Sequence, residues 1–111
     1  MPFHSYDTLR RWLSEFADER ADASFVKVVP QDGSDGSDTG LITVPLFNAT
    51  TTVYMQPNGS RWTTTIEPQP DETILGSDAL HALAAELHMT GDLCAFLERR
   101  SADHFELPPA P

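Results

Sequence analysis

A chain of 111 residues, 40% hydrophobic and 22% charged, lies within the single-domain range and has enough apolar content for one core without metal or disulfide support. Its 17 acidic residues against 7 basic ones give a formal net charge of −10, which repels nucleic-acid phosphates and anionic membrane surfaces. No apolar run approaches the roughly 18 residues that cross a bilayer, and the single cysteine, Cys94, cannot close an internal disulfide, so a reducing, cytoplasmic setting is expected.

The first element is a helix from Ser5 to about Ala21. Tyr6, Leu9, Leu13 and Phe16 recur at spacings of three and four, with Trp12 beside the stripe. Ser5 suits the N-cap, and Asp7 sits where the helix dipole favours an anion. Ser24 to Pro30 is rich in β-branched residues and reads as a strand, with Pro30 marking an edge or an end. Residues 31–40 carry a Gly-Ser-Asp tandem and read as a flexible acidic loop. Asp32, Asp35 and Asp38 recur every third residue, whereas a calcium loop of the EF-hand kind takes ligands at every second position and ends on a glutamate.

Three further strands are predicted at Leu41 to Phe47, Thr52 to Pro57 and Ser60 to Pro68. Asn58-Gly59 is the preferred centre of a two-residue type I′ turn, which sets Met55 opposite Trp62 and Val53 opposite Thr64. A four-residue loop from Asn48 to Thr51 then sets Leu46 opposite Val53 and Val44 opposite Met55. Both turns assign Ile42, Val44, Leu46, Val53, Met55, Trp62, Thr64 and Ile66 to one apolar face. Leu41, Thr43, Phe47 and Tyr54 fall on the other.

Glu67 to Glu72 is a proline-broken linker. A second helical pattern opens with Ser77 as N-cap and carries Leu80, Leu83, Ala84 and Leu87. After Gly91, which is expected to end or kink it, Leu93, Phe96 and Leu97 continue the pattern. One bent helix and two separate helices fit residues 78–101 equally. The tail from about residue 105 to 111 is proline-rich and expected to be disordered. The order of elements predicts a single α+β domain over residues 1–111. Its architecture is a two-layer sandwich of a four-stranded antiparallel meander with N-terminal and C-terminal helices.

Chemical signatures are sparse. His81 and His88 lie two helical turns apart, about 10 Å, too far to share a metal ion. The chain has no H-E-x-x-H or C-x-x-C pattern, no G-x-S-x-G elbow and no phosphate-loop signature, so no catalytic residue, metal or cofactor is assigned. The expected function is that of a small acidic, non-enzymatic interaction or regulatory protein, with a protein partner or a second copy of itself. The expected contact residues are Leu41, Phe47 and Tyr54, an apolar and aromatic cluster on the outward sheet face. Direct nucleic-acid and membrane binding are disfavoured by charge. Two alternatives remain: an acidic mimic of nucleic acid that blocks a basic DNA-binding protein, and an enzyme whose site is assembled from scattered residues.

Overall fold

The computed structural model describes residues 4–32, 38–47, 49, 51–58, 61–69, 71–102 and 104, with backbone alone at 31, 32, 38, 39 and 58. The elements run α1 (Tyr6–Glu19), a single 3-10 turn (Ala21–Ala23), β1 (Lys27–Asp32), β2 (Asp38–Leu46), β3 (Thr51–Asn58), β4 (Arg61–Ile66) and α2 (Ser77–Ala102). The four strands form one antiparallel sheet in the order β1-β2-β3-β4. This is the α+β meander with terminal helices that the sequence pattern predicts. No helix among the described residues is long and apolar enough to cross a membrane.

The Ser5 hydroxyl caps α1 by accepting the Thr8 N–H at 3.2 Å. The buried stripe of α1 comprises Thr8, Leu9, Trp12, Leu13 and Phe16, so Trp12 lies within the apolar face, not beside it. The chain leaves the helix at Arg20, whose backbone is extended. α1 crosses the inner face of β1 and β2 at Gly40, where a Cβ would come within 3.2 Å of Leu9 Cδ1 and closer still to Val28 Cγ1. Here glycine is required because the Val28 side chain of the neighbouring strand, with Leu9 of α1 behind it, leaves no room for a Cβ.

Both hairpins differ from the predicted register by two residues. Met55 lies opposite Thr64 and Ile42, Val53 opposite Ile66 and Val44, and Trp62 opposite Pro57. Asn58 pairs with Arg61 and so belongs to the ladder, not to the centre of the turn. Side chains alternate with a period of two, and a slip of two preserves the face. Ile42, Val44, Leu46, Val53, Met55 and Trp62 are therefore buried together. Thr64 and Ile66, predicted to share that core, are exposed instead.

The strand read as Ser24 to Pro30 begins at Lys27, after the 3-10 turn, and pairing continues past Pro30, which lies opposite Gly40. The predicted 31–40 loop is thus shortened, with Gln31, Asp32 and Asp38 to Gly40 taken into the ladder. The aspartate cluster considered for calcium, the tip of the Asn58-Gly59 turn and the tail from residue 105 lie outside the described residues or side chains.

α2 is one uninterrupted helix of 26 residues that passes through Gly91, resolving the choice between one helix and two. It begins with the Leu80 N–H donating to the Gly76 carbonyl at 2.9 Å, so Gly76, not Ser77, occupies the capping position. Its second half lies along β4. The Trp62 indole N–H donates to Ser101 Oγ at 2.7 Å, its backbone N–H to Glu98 Oε2 at 3.3 Å, and its carbonyl accepts from Cys94 Sγ at 3.6 Å. Met89, Leu93 and Leu97 close the core over the strands.

Candidate functional site

Two places stand out from the packed core. The first lies where the 3-10 turn, the end of β2 and the middle of α2 meet. Phe47 follows the last residue of β2, and its backbone N–H donates to Glu86 Oε2 on α2 at 2.7 Å. Its ring meets that of Phe25 edge-on, with centroids 4.8 Å apart and planes at 72°. Both rings remain largely in solvent, Phe25 at 57% and Phe47 at 64% exposure. Beneath them is a cleft of about 210 Å³ lined by Val26, Val44, Pro45 and Met89, with Asp22 and Glu86 supplying carboxylates. Exposed Leu80 and Leu87 occupy the same helix in its less covered half.

Arg20 anchors this corner. It pairs with Asp22 at 2.8 Å and with Asp92 of α2. The hydrogen bonds it donates to Asp22 and then to Asp92 hold the guanidinium above its ordinary pKa. The same pairing, led by the hydrogen bond from Arg20, holds the Asp92 carboxyl below its ordinary value. Asp92 also lies 3.5 Å from His88 Nε2.

The predicted contact residues are not assembled as one cluster. Leu41 and Tyr54 are half-buried on the outer sheet face, with Leu41 opposite Val29 and Tyr54 between Thr43 and Thr65. Phe47 is six residues from Leu41 along the strand direction, about 20 Å. It faces the cleft with Phe25, a residue the sequence reading placed inside a strand. Leu93 and Leu97 are fully buried in the core on the inner face. The signal for the Phe25–Phe47 pair was present only as two isolated phenylalanines 22 positions apart.

The second place lies between the two helices. His4, buried to 2% exposure, stacks on Trp62 at 5.9 Å and packs against Trp12 at 5.2 Å and His104 at 5.3 Å. Residues at opposite ends of the chain thus share one aromatic cluster. Beside it Arg11, Arg99 and Arg100 line a cleft with Trp12 and His104. Among the described residues no three His, Cys, Asp or Glu side chains converge as a metal site. Burial, with a smaller contribution from Glu98, raises the Cys94 thiol above its ordinary pKa and outweighs a lowering hydrogen bond with Thr64. That keeps it protonated and weakly nucleophilic.

The fold and these two clefts describe a small acidic α+β protein with an apolar corner and a separate basic one. Comparison with known proteins adds no relative: no family model, no curated protein and no solved structure matches the chain.

Proposed function

We propose that this is a non-enzymatic interaction protein that docks a partner segment with apolar anchors and basic flanks at the Phe25–Phe47 corner. The observation that carries this reading is the exposed, edge-packed phenylalanine pair above an apolar cleft. Large aromatic side chains held at a surface by a backbone hydrogen bond offer contact area at low entropic cost. At about 210 Å³ the cleft is below the usual range for small-molecule pockets and suits one or two inserted side chains. Asp22 and Glu86 border it, and the whole chain carries −10, so a basic flank is attracted and a second copy of the same chain is repelled.

The test is fluorescence anisotropy with a labelled amphipathic helical peptide, leucines on one face and lysines on the other. The full chain should bind it saturably. Phe25→Ser and Phe47→Ser should each weaken binding by about tenfold or more, as hot-spot truncations do, with melting almost unchanged because both rings are exposed. Leu41→Ser and Tyr54→Ser, on the outer sheet face, should bind as the parent does. Equal binding by the phenylalanine variants, or dependence on Leu41 and Tyr54 instead, would overturn the assignment. Sedimentation of the chain alone would show self-association if the occupant were a second copy.

A further inference from the structure

The cleft between α1 and α2 has the opposite charge character from the rest of the chain. It is lined by Arg11 and Trp12 from α1, by Arg99 and Arg100 from α2, and by His104 beyond the helix end. Three of the chain's 7 basic residues therefore face one opening, and among the described residues that line it there is no carboxylate. In a protein with 17 acids this is an unusual arrangement, because like charges repel and carboxylates are abundant elsewhere.

The three arginines are not equivalent. Arg100 is held by an ion pair to Glu15 at 2.6 Å and by stacking over the Phe96 ring at 5.1 Å. Arg11 and Arg99 make no ion pair with any described residue, in contrast to Arg20, which takes two carboxylates. One guanidinium is thus positioned by the fold; Arg99 acts on Asp92 through space without a hydrogen bond, and the N–H groups of Arg11 and Arg99 face solution. The floor is rigid: Trp12 is buried to 3% exposure and meets the His104 ring edge-on at 5.0 Å.

We propose that this cleft is a binding site for a small phosphate-bearing ligand. A guanidinium presents its N–H groups in a planar fork that matches two oxygens of a phosphate, and several forks converging from two helices suit a group with three terminal oxygens. A lone carboxylate would be satisfied by one fork. The cleft volume of about 380 Å³ falls in the range of small-ligand sites. A long polyanion is disfavoured, since beyond the cleft it would meet the field of the surrounding acids. The site is separate from the Phe25–Phe47 corner and does not depend on the function proposed for it.

The test is a titration of the full chain, at constant ionic strength in chloride, with inorganic phosphate in one arm and adenosine monophosphate in the other. Arginine side-chain N–H resonances report the binding. Saturable shifts confined to Arg11, Arg99 and Arg100 are expected. Arg11→Ala and Arg99→Ala should each weaken binding by about tenfold or more, the usual loss for a charge-assisted hydrogen bond. Both side chains are exposed, so melting should be unchanged, which separates lost binding from lost fold. Tighter binding of the nucleotide assigns the cleft to an organic phosphate, and tighter binding of the inorganic ion assigns it to free phosphate. Shifts that do not saturate in either arm, or affinities unaltered in both variants, would overturn the proposal.

Discussion

Trp62 ties the edge of the sheet to α2, and Trp62→Phe isolates what that tie contributes. The side chain is 4% exposed, and its indole N–H donates to Ser101 Oγ at 2.7 Å. Replacing indole by phenyl removes about three buried ring atoms, which at about 0.8 kcal/mol per buried carbon amounts to about 2 kcal/mol. The lost hydrogen bond adds about 1 kcal/mol. The expected total, about 3 kcal/mol, is a large share of the roughly 5–15 kcal/mol available to a domain. Ser101→Ala should cost about 1–2 kcal/mol, because it leaves the buried indole donor without its acceptor. If the bond is the link, Trp62→Phe should cost about 1 kcal/mol less in the Ser101→Ala background than in the parent. Urea unfolding followed by far-ultraviolet circular dichroism yields all four stabilities without relying on tryptophan emission. Strict additivity of the two substitutions would refute the hydrogen-bonded link, and an unchanged midpoint for Trp62→Phe would refute its burial.

Gly91 lies inside α2 with open space where a Cβ would stand, so Gly91→Ala should raise stability by about 0.5–1 kcal/mol through helix propensity alone. A lower urea midpoint would show that the glycine is needed for a bend. Gly40→Ala should lower stability by about 1–3 kcal/mol, because Val28 and Leu9 must give way to the new methyl group; an unchanged melting temperature would mean that Val28 does not crowd Gly40 as described. Asp92, its carboxyl lowered from 3.8 by Arg20, stabilises the folded state above that value and loses the contribution as pH falls through its lower folded pKa. Asp92→Asn should therefore be less stable than the parent at neutral pH and converge with it in strong acid, and a pH-independent gap in thermal melts would contradict the linkage.

The fold was legible because its main signals repeat. The α1 stripe and the alternation of Ile42, Val44 and Leu46 each mark a buried face several times over, so the inner layer survives a two-residue error in both hairpins. Turn chemistry was less decisive than that alternation: Asn58-Gly59 favours a turn in general but does not choose between neighbouring two-residue connections. The site was less legible for a different reason. The Phe25–Phe47 pair depends on the 3-10 turn bringing Phe25 back to the end of β2. The arginine cleft depends on two helices from opposite ends of the chain lying side by side. Neither juxtaposition leaves a periodic trace. Leu80, Leu83 and Leu87 read as core, yet Leu80 and Leu87 are exposed. A 26-residue helix is about 39 Å long, while a six-residue strand spans about 20 Å, so part of its apolar stripe has no sheet beneath it.

The bonds from Glu98 and Cys94 to the Trp62 backbone have a consequence for how this sheet meets other sheets. β4 is a terminal strand, and its outward N–H and C=O groups would ordinarily be a template for a further strand from another chain. At Trp62 both groups are already engaged by side chains of α2. At the opposite border Pro30 lacks an N–H altogether, which interrupts the row of donors on β1. Growth of the sheet by strand addition is hindered at both borders. The exposed phenylalanine pair therefore sits on a sheet whose two borders are each interrupted at one position, Trp62 on β4 and Pro30 on β1.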